Sequence, residues 1–190
     1  KQVLTGKHAF AREKFNFYAL AVSRNNIRLP FSKNIDEHMF ISIVKTALET
    51  KNVLWAENFI KDNDHLLKDE TKSSVVELCR AAIGLEQGNF ESPLMYLGNI
   101  KTKRTETRIY IKTLLLKIFL ELSLFNEAEL AIDSLRHLLS KSEKNFSPLI
   151  YQSYRNFLKY YSGIVKAKEK NKKEKMKAIA EELKKNYAVD

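Results

Sequence analysis

Three stretches of this chain carry one pattern: residues 47–56 (ALETKNVLWA), 84–93 (GLEQGNFESP) and 119–128 (FLELSLFNEA). Each reads Leu-Glu, three residues, an apolar residue, two residues, then Ala or Pro. The glutamates are Glu49, Glu86 and Glu121, at spacings of 37 and 35. Going back 36 from Glu49 reaches Glu13, in AREKFNFYAL, with Phe17 on the apolar position. Self-similarity at this period marks an array of helical hairpins, each too small to bury its apolar face alone.

The pattern has a physical reading. The first helix of each hairpin ends after Leu-Glu, and the chain turns over about three residues, where Gly88 takes positive φ without steric cost. Asn52 and Asn89 are placed to cap the second helix, because an amide oxygen accepts an otherwise unpaired N–H. Val53, Phe90 and Phe125 then pack back on the first helix. The position held by Ala56, Pro93 and Ala128 must be compact, since the helices approach closely there. Pro93 falls in a first helical turn, where its missing N–H is harmless.

The rest of the composition agrees with helices. Among 190 residues there are only five Gly and three Pro. We predict helices over about 7–25, 35–49, 52–66, 71–87, 90–99, 105–122, 125–141, 147–167 and 173–186. Breaks fall at 28–34, 68–71, 99–103 and 141–148, with Ser147 as N-cap and Pro148 as the first helical residue of the eighth helix. The whole of 1–190 is read as a single helical-repeat domain. Its units are about 1–32, 35–66, 71–99 and 105–141, with irregular C-terminal helices over 147–186. The segment 105–122 is apolar nearly all round and is expected to be covered on several sides. In the last unit Tyr161-Ser162-Gly163 falls near the expected turn. Met176, Ile179, Ala180 and Leu183 form a narrow stripe for a closing helix.

At this point the pattern resembles the tetratricopeptide (TPR) repeat, over about residues 10–142. QGNFESP and LSLFNEA match its glycine turn, aromatic and alanine marks. Lys51 and Ser123 stand where the family has glycine and Pro93 where it has alanine, and its early Trp and Leu-Gly pair are absent. The same arithmetic suits other α-α superhelices. The resemblance implies an all-α fold of antiparallel helix pairs stacked as a right-handed superhelix. It also implies a concave groove, lined by first helices, that holds a peptide. In that register the groove positions include His38, Lys45, Tyr110, Thr113 and Lys117. Lys45 and Lys117 occupy equivalent places and favour an acidic segment or a carboxylate.

No catalytic constellation is legible. Asp62, Asp64 and His65 in DNDH lack the spacing of a calcium loop, so a solvated helix end is expected rather than a metal site. The four histidines (His8, His38, His65, His137) are scattered, and TGK at 5–7 lacks the rest of a phosphate loop. The single cysteine, Cys79, sits among apolar residues as a small core residue and excludes an internal disulfide. Aromatics cluster at 146–161; Ile150, Tyr154, Phe157, Leu158, Tyr161 and Val165 fall on one helical face, a core stripe, and Tyr160 points away, free for a partner.

The formal charge is +10, and residues 166–177 hold seven Lys against two Glu. This run reads as a solvated helical linker, or as a nucleic-acid or anionic-surface contact together with Lys101, Lys103, Arg104 and Arg108. The apolar stretch 109–125 is broken by Lys112, Lys117 and Glu121, so no membrane span is expected. The chain opens at Lys1 without a signal pattern, as a processed or excised piece would, and a cytoplasmic location is expected. We therefore expect a non-catalytic, cofactor-free protein-interaction scaffold, with a nucleic-acid-binding helical module as the alternative.

Overall fold

The computed structural model describes residues 2–29 and 31–186, with side chains described for 9–29 and 31–183. Among these residues every regular element is helical: α1 (Gln2–Ser23), α2 (Glu37–Glu49), α3 (Val53–Asn63), α4 (Asp69–Glu86), α5 (Glu91–Leu97), α6 (Thr105–Glu121), α7 (Phe125–Lys141), α8 (Pro148–Glu169) and α9 (Lys173–Asn186). Single 3-10 turns follow α3 and α7. The fold is all-α, and all the expected helices are present. The chain forms two compact units, 1–101 and 102–190, divided in the break that the sequence places at 99–103.

One turn recurs five times. Asn25, Lys51, Gly88, Ser123 and Asn171 all have left-handed backbones, with φ of 55°, 62°, 79°, 58° and 49°. After each, the next residue's N–H bonds the carbonyl five positions back, to Ala21, Ala47, Gly84, Phe119 and Ala167, at 2.8 Å in every case. The turn residue's own N–H bonds the carbonyl three back. This double closure satisfies carbonyls that a helix end leaves unpaired. Lys51 and Ser123 thus do in their hairpins what Gly88 does in its own, at the cost of a crowded Cβ. The period does not extend to Glu13: Phe17 lies inside α1 and is 66% exposed, and the first turn is at Asn25 instead. Nor does the last turn fall at 161–163, because α8 runs through Gly163 to Glu169.

In the first unit α1 packs on α2, α2 on α3 and α4, α3 on α4, and α4 on α5. Phe40, Ile43, Val44, Ala47, Ala56, Phe59, Leu78 and Cys79 are buried in its core. Phe59 meets Phe40 at 4.8 Å and stacks on Trp55 at 5.5 Å between ring centres. Phe15 and Tyr18 fix α1, the first edge-on to Trp55 at 5.1 Å, the second through its hydroxyl 3.2 Å from Ser42 Oγ. The outward face of α1 leaves Phe10, Phe17 and Leu20 exposed.

The compact positions behave as the spacing requires. Ala56 and Ala128 are fully buried and Pro93 is buried in the first turn of α5. A Cβ added to Gly84 would stand 3.0 Å from Pro93 Cγ, so the glycine lets α5 lie against α4. Capping is uneven. Asn89 Oδ1 accepts from Ser92 N–H at 3.3 Å, but Asn52 turns its amide back to Thr50 and does not cap α3. Ser147 caps α8, accepting from Ile150 N–H, with Pro148 first in the helix.

In the second unit α6, α7, α8 and α9 pack in succession. Its core gathers Ile109, Leu116, Ile132, Leu135, Leu139, Leu158, Tyr161 and Val165. Tyr161 donates its hydroxyl to the Leu116 carbonyl, and Lys168 Nζ donates to the Leu120 carbonyl at 2.8 Å, so α8 is tied to the end of α6. Helix α6 buries two opposite faces, Ile109 with Leu116 and Ile111 with Leu114 and Ile118, which explains its all-round apolarity.

Two expectations for α8 are corrected. Tyr160 is only 9% exposed, and its hydroxyl bonds Glu182 of α9 at 3.0 Å, because α9 covers the face that the sequence leaves open. Ile150, assigned to the core, is 47% exposed in the first turn of α8. On α9, Ile179 and Leu183 are half-buried while Met176 and Ala180 are exposed, and Ile179 meets the gap left by Gly163.

Candidate functional site

The expected groove residues are divided between the two units. His38 and Lys45 are exposed on α2, seven residues apart and so two turns along one face. Lys45 Nζ lies 4.0 Å from Glu49 Oε1. Tyr110, Thr113 and Lys117 share a face of α6. Tyr110 and Thr113 are half-buried and Lys117 is exposed. The Thr113 hydroxyl is engaged by the Ile109 carbonyl at 2.9 Å. Two of the five expected residues thus belong to the first unit and three to the second.

A different concavity is formed wholly within the first unit. It is a cleft of about 540 Å³ between α3 and α5, floored by α4. Its floor is apolar where Ala81, Ile83 and Gly84 of α4 meet Ile60 and Pro93. Two features open it. Helix α5 stops at Leu97 after seven residues, roughly 10 Å of rod, while α4 runs for eighteen residues, roughly 27 Å. The residue eight positions before the turn is Ile43 in α2, Leu115 in α6 and Gly163 in α8, but Arg80 in α4. Ile43 is fully buried, whereas Arg80 is exposed and lines the cleft.

The charges in the cleft are ordered along it. At the turn end, Gln87 Nε2 donates to Glu57 Oε1 at 2.8 Å. Asp64 is neutralised by Lys72 at 3.0 Å. Lys61, one turn beyond Glu57, and Arg80, two turns back from Gln87, carry no ion pair among the described residues. Tyr96 of α5 completes the wall.

The remaining polar groups have structural settings. Burial pushes the Cys79 thiol well above its ordinary range, which suppresses the reactive thiolate. Burial also raises the Tyr161 and Tyr154 phenols, helped by Glu121 and Glu106 respectively. Burial and then Arg108 lower the Lys112 ammonium, which donates to Ser134 Oγ at 2.7 Å. Among the described residues no three His, Cys, Asp or Glu side chains come together as a metal-holding group, and no helix is long and apolar enough to cross a membrane. The lysine run covers the last turn of α8, the turn at Asn171 and the start of α9, and is exposed except at Ala167 and Lys168. Lys168 bonds α6, and Lys177 pairs with Glu174 at 3.1 Å.

Compared with known proteins, the chain matches no protein-family model, no curated protein and no solved structure. The repeat register, which puts the groove residues on α2 and α6, does not point to this cleft. Its signal is Arg80 in VVELCRAAIGL, where Glu77 is the one other charged residue, at a repeat position that is apolar or glycine in the other hairpins.

Proposed function

We propose that this chain is a non-catalytic, TPR-like interaction module, its hairpins stacked as a right-handed α-α superhelix that binds a protein or peptide segment. The observation that carries the reading is the recurrence of one left-handed turn with one hydrogen-bond closure at Lys51, Gly88, Ser123 and Asn171. Hairpins closed alike stack alike, and stacked hairpins leave extended faces suited to long, shallow partners. His38 and Lys45 on α2, and Tyr110, Thr113 and Lys117 on α6, are surface positions such a partner can use, with the lysines favouring acidic segments. The reading places the protein in the cytoplasm, where Cys79 remains a thiol.

A nucleic-acid partner is the second reading. Residues 102–190 hold 19 Lys and Arg against 11 Asp and Glu, a net +8, while residues 1–101 hold 14 against 12, a net +2. One experiment separates the two. The chain is panned against a displayed random dodecapeptide library and titrated with labelled random single-stranded DNA and RNA at 150 mM salt. Enriched peptides that bind in solution, with no nucleic-acid binding tighter than ~10⁻⁴–10⁻⁶ M, support the interaction module. Tight nucleic-acid binding without peptide enrichment overturns it.

A further inference from the structure

We propose that the α3–α4–α5 cleft is the docking site for an acidic, partly apolar peptide segment, with carboxylates held by Arg80 and Lys61. This rests on the reading of the chain as an interaction module and assigns that role a place and a chemistry. Three observations carry it.

The first is the charge arrangement. Among the described residues both cations of the cleft lack a partner, whereas Asp64 has Lys72 and Glu57 receives Gln87. An arriving carboxylate meets a guanidinium able to bind it through two parallel N–H groups. The second is the exception to the repeat. Where other hairpins place Ile43, Leu115 or Gly163, this one places a long cation beside an apolar floor. The third is size. A cleft of about 540 Å³ accepts a few side chains and excludes a folded domain.

The occupant is thereby specified. A Glu or Asp of the segment lies against Arg80 and Lys61. An apolar neighbour lies on Ile60 and Pro93 beside the Tyr96 ring. Toward the turn end, the Glu57 carboxylate disfavours a second acid and suits a hydroxyl, amide or amine. A phosphate backbone, with a charge at every unit, fits this bipolar cleft poorly.

The test uses the peptides enriched on the full chain, synthesised with a fluorescent label and titrated by anisotropy against the parent, Arg80→Glu, Lys61→Glu and Arg80→Gln. Arg80 and Lys61 are exposed, so circular dichroism melts should match the parent. The expected result is enrichment of Asp or Glu next to an apolar residue, with affinity at least tenfold weaker for Arg80→Glu and Lys61→Glu. Arg80→Gln, which keeps the stem and removes the charge, is expected to weaken binding and flatten its salt dependence. Enriched peptides that are not acidic, or that bind the charge-reversed variants as tightly as the parent, overturn the cleft assignment and leave the interaction module standing. Failure to enrich any peptide overturns both.

Discussion

Lys51, the left-handed residue that closes α2, reaches across to Glu86 near the end of α4, with Nζ 2.7 Å from Oε2. The turn of one hairpin thus grips the Leu-Glu pair of the next. The side chains are 78% and 31% exposed, so solvent screens the pair and it contributes no more than ~0.5 kcal/mol. The crowded backbone of a non-glycine residue in this conformation costs about 1 kcal/mol or more. Lys51→Ala therefore lowers stability slightly, while Lys51→Gly raises it despite losing the pair. Urea midpoints of the two variants should move in opposite directions.

Ser123 has the same left-handed backbone but no charge to pair. Ser123→Gly is expected to stabilise the second unit by about 0.5–1 kcal/mol. Gly88→Ala, the reverse change at the equivalent turn, is expected to destabilise the first unit by about 1 kcal/mol. Urea titrations followed by far-ultraviolet circular dichroism measure both. Equal effects of one sign would contradict the equivalence of the turns.

Two helical glycines separate packing from propensity. Alanine is favoured over glycine in a helix by about 1 kcal/mol. At Gly163 the new Cβ meets the tip of Ile179, 3.0 Å away, and a rotamer change of that side chain relieves the contact. At Gly84 it meets the Pro93 ring, also at 3.0 Å, which has no such freedom. Gly163→Ala should be neutral or stabilising, and Gly84→Ala destabilising by about 1–2 kcal/mol. Thermal melts compare the pair directly.

Alkaline pH should weaken the fold in two steps. Cys79 and Tyr161 are both raised in the folded protein by burial, so the folded chain holds protons that the unfolded chain releases. Their contribution is complete below the unfolded pKa values, ~8.5 for Cys and ~10 for Tyr, and declines as pH rises beyond them. The urea midpoint should fall from about pH 8.5 upward. In Cys79→Ala the midpoint, lower overall, should stay flat until about pH 10. A thiol reagent at pH 8 should label native Cys79 far more slowly than the unfolded chain.

The helices and their turns were legible because breakers are few and the hairpin pattern repeats: Leu85-Glu86 through Pro93 reads as a helix end, a turn and a close approach. Lys51 and Ser123 were legible only by alignment with Gly88, since nothing intrinsic to lysine or serine announces a left-handed backbone. Tyr160 was misplaced because a helical wheel of α8 alone cannot know that α9 returns to cover it. Ile150 was misplaced because the stripe it belongs to outruns its cover near the start of the helix. Asn52 has a capping residue's identity but found Thr50 first, a local competition that composition does not reveal. Arg80 was visible as a letter, but its meaning depends on α5 being short.

That shortness has a mechanical consequence. A seven-residue helix cannot persist alone in water, so α5 keeps its shape through buried Pro93 and Leu97 resting on its neighbours. One jaw of the Arg80 cleft is pinned at two points, and the other is the longer rod α3. The gape is governed by how firmly those two side chains seat.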